Sequence, residues 1–241
     1  MTPWLSLIIP LRNEADHGFA LLEQVTGQPG VEVILVEGFS VDATWELLQP
    51  WGQKPGVRLL QVPAPRSSQL HQGALAAQGD FLLFLHADSR LEPGWLEAVQ
   101  AFTLQSQAVA GAFSLRLEGG LALACYAWFA NLRARWFGLP YGDQGLFLSR
   151  LTYFKAGGFP QLPLMEDFAL SRLLHRFGPI QILPLGIWTS NRRYLRLGLW
   201  RSFWFNQWMV WGFFRGKDLE QLRLQYQSVK LTPQAPAKKS P

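Results

Sequence analysis

The sequence predicts an α/β protein in which helices flank a mostly parallel central sheet. Short apolar runs alternate with helical stretches through the first half of the chain, and this rhythm is typical of βαβ units. Each run also ends abruptly at polar residues, as buried parallel strands do. Strands are expected at 5–9, 31–36, 57–62 and 81–86, with helices near 15–28, 41–50 and 66–78.

The second half has longer helical patterns and a C-terminal helical extension. In chain order we expect a helix at 92–105, a strand at 111–117, a helix at 121–136, a helix from 166 to the Gly178-Pro179 turn, a short strand at 180–183, and helices at 197–215 and 217–229. We divide the chain into an α/β domain (1–196), aromatic-rich helices (197–230) and a disordered tail (231–241). The tail is assigned as disordered because Pro, Ala and Lys dominate it.

The composition narrows the cellular setting. The chain has 241 residues, of which 49% are hydrophobic, so it can bury a substantial core. Cys125 is the one cysteine, which excludes an internal disulfide and fits a reducing compartment. The apolar run near the N-terminus is short and lacks a basic flank, unlike a signal peptide. We therefore expect a cytoplasmic protein.

The charge balance favours anionic partners. The formal net charge is +5 and the pI is about 9.6, which suits nucleotide phosphates or acidic lipid. The basic residues are spread along the chain, and no aromatic and basic sheet signature of a nucleic-acid-binding protein occurs. Nucleic acid is therefore not an expected partner, and the oligomeric state stays open.

One carboxylate marks the expected mouth of a site. The run Phe81-Leu82-Leu83-Phe84-Leu85 stops at His86-Ala87-Asp88. Ligands of open α/β sheets bind outside the carboxyl ends of the strands. One carboxylate together with substrate phosphates can hold a divalent metal. Taken alone, Asp88 and Ser89 fit a helix cap better than a site, because Asp and Ser are ordinary cap residues.

Several segments, in order, resemble family 2 glycosyltransferases of the GT-A fold. SLIIPLRNEA resembles their opening strand and loop, and LLFLHADS resembles their metal-binding segment. PYGDQGLFLSR, GGFPQLPLMEDFAL and TSNRRY match a small bacterial subgroup with HAD, GDQ, MED and RRY motifs. The resemblance implies a GT-A (nucleotide-diphospho-sugar transferase) fold, with 1–196 as the catalytic domain. It further implies inverting, metal-dependent sugar transfer from a nucleotide-diphosphate donor to an acceptor hydroxyl.

The resemblance assigns the donor nucleotide to the ends of the first strands. Pro10, Asn13 and Glu14 would border the base and ribose, and Glu37 would be the carboxylate that binds uracil or ribose. The family usually has Asp-Gly-Gly-Ser at the latter place, whereas this chain has Glu37-Gly38-Phe39-Ser40. The longer acid and the bulky Phe39 leave UDP, GDP and dTDP donors open.

Basic residues are expected to contact the diphosphate. Arg66 and Gln69 lie in the first turns of a predicted helix, whose free amides and dipole favour anions. Asn191-Arg192-Arg193-Tyr194 partly resembles the basic and aromatic motif that closes on the diphosphate in related enzymes, so Arg192 and Arg193 are candidates for paired hydrogen bonds. Solvated surface arginines are the alternative for Arg66, Arg192 and Arg193.

The resemblance implies Mg²⁺ or Mn²⁺ as the cofactor. The family usually has two aspartates separated by one residue, and here the first is replaced by His86. Asp88 would coordinate the ion that bridges the diphosphate and neutralises the leaving group. His86 is either a second ligand, which would favour Mn²⁺, or a packed histidine at the strand end.

The resemblance places the catalytic acids at Glu166-Asp167. Asp167 would be the general base that deprotonates the acceptor hydroxyl, and Glu166 would hold the acceptor or orient Asp167. Without the resemblance, two acids at a helix start would be ordinary dipole partners. Asp143 and Gln144 are candidates for binding the sugar or the acceptor, although Asp143 also suits a turn.

The aromatic segment 197–215 leaves two interpretations open. Arg201, Asn206 and Gln207 interrupt it, so a membrane-spanning helix is not expected. Its Trp, Phe and Arg residues suit either a peripheral contact with the cytoplasmic membrane face, natural for a lipid-linked acceptor, or packing inside the protein. A rival function is a non-catalytic protein of this fold that binds nucleotide sugar or lipid, which the departures at Glu37 and His86 favour.

Overall fold

The computed structural model describes residues 2–17, 19–191, 198–215 and 218–231. The strands are β1 (Leu5–Leu11), β2 (Val31–Glu37), β3 (Val57–Gln61), β4 (Phe81–Phe84), β5 (Arg90–Leu91), β6 (Ala110–Leu117), β7 (Phe147–Ser149) and β8 (Ile180–Thr189). The α-helices are α1 (Ala20–Val25), α2 (Thr44–Gly52), α3 (Arg66–Ala76), α4 (Trp95–Gln105), α5 (Leu121–Phe137), α6 (Arg150–Lys155), α7 (Glu166–Leu174), α8 (Leu199–Phe214) and α9 (Leu219–Leu231). Short 3-10 turns form at Ala15–His17 and Gly142–Gln144.

These strands form one sheet in the order β3-β2-β1-β4-β7-β6-β8-β5. The first four are parallel neighbours, whereas β7 runs antiparallel to both β4 and β6. Leu11 pairs with Glu37 at the carboxyl ends of β1 and β2. The loops that follow β1, β2 and β4 therefore meet along one edge of the sheet. The predicted α/β class with a mostly parallel sheet is confirmed.

The sheet is buried on both faces, as its apolar strands predict. Along β1, Leu7 and Ile9 pack into one hydrophobic cluster, and Ile8 between them packs into the other. Along β4 and its extension, Leu83 and Leu85 alternate with Leu82 and Phe84 in the same way. Because strand side chains alternate between faces, a continuous apolar run can supply both layers.

Three predicted elements differ in extent. The helix expected at 15–28 is divided into the 3-10 turn at Ala15–His17 and α1. The helix expected at 92–105 begins at Trp95, because Gly94 before it is left-handed (φ 84°) and Glu92 N donates to Gly186 O of β8. β8 extends to Thr189, well beyond the predicted 183, since β6 and then β5 pair with it.

The C-terminal helices were predicted near their observed positions, as α8 and α9. Tyr126 of α5 accepts a hydrogen bond from Asn206 of α8, so α8 lies beside α5. No helix among the described residues is long and apolar enough to cross a bilayer. The domain boundaries stay a prediction, and the tail from 232 onward lies outside the described residues.

Candidate active site

A cavity of about 310 Å³ lies between the carboxyl end of β4 and helices α5, α7 and α8. Its polar wall contains Arg66, His86, Asp143, Glu166 and Asp167. These residues come from four of the segments that the sequence marked for a site. The fold therefore brings α3, the end of β4, the turn at Gly142–Gln144 and the start of α7 to one place.

Arg66 joins the two sides of the polar wall. Its Nε donates to Glu166 Oε1 at 2.6 Å, and its Nη1 lies 2.9 Å from His86 Nε2. An arginine can only donate, so His86 Nε2 is the acceptor and the neutral ring carries its proton on Nδ1. The contact occupies the Nε2 lone pair that a metal would need. His86 as a ligand through Nε2 is therefore incompatible with this arrangement.

The Asp167 carboxylate is held by two backbone amides. Gly142 N donates to Oδ2 at 2.5 Å, and Phe168 N donates to Oδ1 at 2.7 Å. Asp167 is the second residue of α7, where free amides and the helix dipole favour a negative charge. The carboxylate thus has a fixed orientation on the wall of the cavity.

A side chain at position 142 would crowd three polar groups of the site. An added Cβ would lie 2.8 Å from His86 Nε2, 3.0 Å from Asp167 Oδ2 and 3.1 Å from Arg66 Nη2. The first of these contacts is too close for a side-chain carbon and the other two are tight, so the three side chains would have to shift. The polar ends of His86, Asp167 and Arg66 therefore lie close together around the Cα atom of Gly142.

Among the described residues, three that are not glycine have left-handed backbone conformations, and each belongs to a segment that the sequence marked. They are Asn13 (φ 56°), Phe39 (φ 54°) and Met165 (φ 65°). Met165 is the residue before α7 and lines the cavity beside Glu166. A left-handed L-residue costs roughly 1–2 kcal/mol, and such strain clusters at functional sites. The strain supports a function for these loops.

The loops after β1 and β2 are bonded to each other. Asn13 N donates to Ser40 Oγ at 2.9 Å, and Val41 N donates to Asn13 Oδ1 at 3.0 Å. Glu14 N donates to Thr44 Oγ1 at 2.8 Å. Asn13 and Glu14, which the sequence predicts to bind the nucleotide, therefore lie together at the sheet edge. Pro10 precedes them as a buried residue of β1.

Glu37 is fully enclosed at the end of β2. Its carboxylate accepts from Ser40 N at 2.5 Å, Phe39 N at 3.0 Å and Gln61 Nε2 at 3.0 Å. Burial opposes ionisation, but these hydrogen bonds outweigh it and lower the pKa of Glu37 below its usual range. In this arrangement the side chain holds the loop after β2 and has no surface that a nucleotide could contact.

Asp88 lies in a separate cavity of about 410 Å³, between the end of β4 and the end of β8. Asp16, Glu118 and Asn191 also line it. The neighbouring Ser89 Oγ is buried and has no hydrogen-bond partner among the described residues. Among all the residues that the structure describes, no group of three His, Cys, Asp or Glu side chains is arranged to hold a metal. One carboxylate beside an orphaned hydroxyl fits an ion held largely by substrate oxygens and water.

The remaining predicted residues have different surroundings. Gln144 is fully buried, and its Nε2 donates to Phe113 O at 3.1 Å, so the fold does not bring it to the cavity wall. Gln69 is buried with Nε2 3.4 Å from Val62 O. Asp143 lines the cavity beside Asp167. Arg192 and Arg193 lie outside the described residues.

The sequence did not mark Arg133 and Tyr141 as site residues. Both line the 310 Å³ cavity, and the Arg133 guanidinium carbon lies 3.5 Å from the centre of the Tyr141 ring. Burial, which the positive charge of Arg133 partly offsets, raises the pKa of Tyr141. The available signal was Arg133 itself, one of two arginines in the largely apolar pattern of α5.

Comparisons with known proteins agree with this fold. Residues 6–121 match the family model described as glycosyl transferase family 2. No curated protein sequence matches the chain. A mannosyltransferase from Pyrobaculum calidifontis, solved with GDP-Man and Mn²⁺, has a TM-score of 0.65 at 15% identity and covers 96% of this chain and 71% of its own.

Two further solved structures are similar. S. aureus TarS 1–349 in complex with UDP-GlcNAc has a TM-score of 0.61 at 15% identity, covering 77% of this chain and 58% of its own. Glucosyl-3-phosphoglycerate synthase from Mycobacterium tuberculosis has a TM-score of 0.55 at 19% identity, covering 76% of this chain and 70% of its own. This chain spans only about three fifths of the TarS fragments, 61% of the first of them. The chain has the GT-A glycosyltransferase fold, and its residues 6–121 match glycosyl transferase family 2.

Proposed function

We propose that this protein is an inverting glycosyltransferase that moves a sugar from a nucleotide-diphosphate donor to an acceptor hydroxyl. The observation that carries the proposal is the Asp167 carboxylate, which Gly142 N and Phe168 N hold on a cavity wall beside Arg66. The family match over 6–121 and the fold support the same activity.

Asp167 acts as the general base in this proposal. Each of its oxygens accepts one backbone hydrogen bond and retains a lone pair for the acceptor proton. The acceptor oxygen bonds to the anomeric carbon as its proton passes to Asp167, and the bond from that carbon to the phosphate oxygen breaks. The nucleoside diphosphate leaves with the electron pair. A single displacement inverts the anomeric carbon.

Glu166 orients the site through Arg66. The Glu166 carboxylate is buried and pairs with Arg66 Nε at 2.6 Å. This pair holds the guanidinium between the base and the end of β4. Arg66 also begins α3, whose first amides favour anions. We assign Arg66 to the leaving diphosphate, with Arg192 and Arg193 as further candidates from the sequence.

The donor nucleotide lies along the sheet edge formed by Asn13, Glu14 and the loop after Glu37. The solved relatives carry UDP-GlcNAc and GDP-Man, which supports a nucleotide sugar as the donor. The donor is a nucleotide sugar of the UDP, GDP or dTDP type. The enclosed Glu37 carboxylate does not contact the nucleobase. It holds the loop after β2 in place, and that loop borders the nucleobase.

Asp88 and Ser89 are the residues that would hold Mg²⁺ or Mn²⁺. Two of the solved relatives contain Mn²⁺, which supports a divalent cofactor. When bound, the ion neutralises negative charge on the leaving diphosphate. His86 stays with Arg66 and acts as a positioning residue in this scheme.

The proposal extends to a lipid-linked acceptor, with the protein bound to the cytoplasmic face of the membrane. Large aromatic side chains on α5 and α8 support it, since Trp136 is 74% exposed and Trp204 is 66% exposed. Indole rings favour the membrane interface. Co-sedimentation with anionic vesicles, lost in the Trp136→Ser/Trp204→Ser double variant, would support it. Wild-type protein that stays in the supernatant would refute it.

A non-catalytic protein that binds nucleotide sugar is the second candidate. The enclosed Glu37 and the pairing of His86 with Arg66 are the observations that favour it. The experiment is calorimetric titration with UDP, GDP and dTDP, each with Mn²⁺ and with EDTA, followed by an assay for sugar transfer. Metal-dependent binding of one nucleotide with turnover supports the transferase. Binding without turnover on any acceptor supports the second candidate.

A further inference from the structure

Arg133 is a cation with two buried donor nitrogens that have no partner in the part of the chain that the structure describes. These nitrogens are Nε and Nη2. The guanidinium lies over the Tyr141 ring at 3.5 Å. The side chain borders the 310 Å³ cavity that contains Asp167 and a second, largely apolar cavity of about 540 Å³ between α5 and α8.

Such a group requires an explanation. Arginine stays charged, and buried charges in proteins are normally paired. The Tyr141 ring stabilises the positive charge through a cation–π contact with the face of the guanidinium. It accepts no hydrogen bond from Nε or Nη2, so these two buried donors stay unsatisfied within the described part of the chain. Arg66, in the same cavity, has the carboxylate of Glu166. None of the ion pairs between described residues includes Arg133.

The neighbours of Arg133 on α5 show that the helix can satisfy its polar groups. Asn131 Oδ1 accepts from Leu115 N at 2.7 Å, and Asn131 Nδ2 donates to Leu115 O at 3.0 Å. Arg135 Nη2 donates to Ser114 Oγ at 3.1 Å. Both therefore fasten α5 to β6. Arg133 makes no such bond and lines the cavities instead.

We propose that Arg133 binds an anionic group, a phosphate or a carboxylate, on the acceptor substrate. This inference rests on the proposed glycosyl transfer and names its acceptor class. Guanidinium donors match both oxyanions in paired hydrogen bonds. Asp167 and Arg133 border the same cavity, so the anion would bind there while the acceptor hydroxyl meets the base.

The apolar part of the acceptor would occupy the other surfaces. Leu115, Met209 and Val210 line the first cavity, and Phe129 and Phe203 line the second. The same anion can come from a small phosphorylated or carboxylated alcohol or from a lipid headgroup. The two sources differ only in whether an acyl chain fills the apolar cavity.

The test is calorimetric titration of the full chain in EDTA with sn-glycerol 3-phosphate, glycerate, micellar lysophosphatidate and uncharged glycerol. We expect an anionic probe to bind and glycerol not to bind. Arg133→Gln should weaken that binding at least tenfold, whereas Arg135→Gln, the matched control on the same helix, should change it less than twofold. Tighter binding of lysophosphatidate than of glycerol 3-phosphate would assign a lipid, and the reverse would assign a soluble acceptor.

Thermal denaturation separates this role from packing. If Arg133 serves a ligand, Arg133→Met should melt no lower than the wild type and lose the rise in melting temperature that the anion gives. Absence of anion binding in the wild type, or equal binding by Arg133→Gln, would overturn the inference. Nucleotide titration of the same variants tests the donor site separately, so failure here is distinguishable from failure of the transferase proposal.

Discussion

Gly142 and Asp167, which are 25 residues apart in the chain, are joined by a 2.5 Å hydrogen bond from Gly142 N to Asp167 Oδ2. The bond links the turn before β7 to the first turn of α7. It fixes the carboxylate that we assign as the general base, at a point where Arg66 and His86 also converge.

Gly142→Ala should impair both the fold and the activity. The new methyl group would meet His86, Asp167 and Arg66 at 2.8–3.1 Å. Overpacking of this kind costs about 1–3 kcal/mol. Urea denaturation should detect that loss, and sugar transfer should fall at least about tenfold because the base is displaced. Gly120→Ala is the matched control, since an added Cβ there meets nothing within 4 Å. Equal behaviour of the two variants would contradict this account of position 142.

Arg66→Met should destabilise the protein by leaving Glu166 buried without its partner. Breaking a fully buried pair costs about 3–5 kcal/mol, but the Arg66 side chain is 37% exposed. Solvent screening reduces the expected loss to about 1–3 kcal/mol. Arg223→Met, which breaks the exposed pair with Glu220, should destabilise the protein much less than Arg66→Met. Adding Glu166→Gln to Arg66→Met should recover part of the loss in urea denaturation.

Glu37 should stabilise the protein only when it is ionised. Its hydrogen bonds lower the pKa of Glu37 in the folded state below the unfolded value near 4.5. Its contribution is therefore complete above pH 4.5 and declines as the pH falls through the folded-state pKa. The loss of unfolding free energy in Glu37→Gln should be largest at pH 7 and smaller at pH 3.5. An unchanged difference between these pH values would contradict the assignment.

Asp88→Ala should weaken metal-dependent nucleotide binding. The variant removes the carboxylate that we assign to the ion, so the gain in affinity that Mn²⁺ gives should fall at least about tenfold. Binding in EDTA should change little. Asp80→Ala, which replaces an exposed acid just before β4, serves as the control. If Mn²⁺ raised the nucleotide affinity of Asp88→Ala as much as that of the wild type, residues other than Asp88 would have to hold the ion.

Much of the fold was accessible from the sequence because buried parallel strands are continuous apolar runs. β7 was missed because Phe147 is in a strand only by virtue of its pairing with Leu83 and Gly111, which are distant in sequence. β8 was predicted too short because Pro184 and Gly186 interrupt its pattern. Such short or interrupted strands depend on tertiary pairing more than on local propensity.

The site was accessible in part. Motif resemblance pointed to Asp167 and Glu166, and the predicted helix start pointed to Arg66; the structure brings all three to one cavity wall. The sequence could not reveal that Gln144 bonds Phe113 O, 31 residues away, instead of facing the cavity. Nor could it reveal that Glu37 is enclosed. Side-chain direction depends on contacts that no local pattern encodes.

The most direct measurement of the central claim is sugar transfer by Asp167→Asn, assayed with the donor that titration identifies. The amide can keep the hydrogen bond from Gly142 N but cannot take the acceptor proton. We expect transfer to fall about 10²–10⁴-fold while nucleotide affinity stays within about twofold of the wild type. The wild-type product should have the inverted anomeric configuration. Full turnover by Asp167→Asn, or a retained configuration, would contradict the assignment of Asp167 as the base.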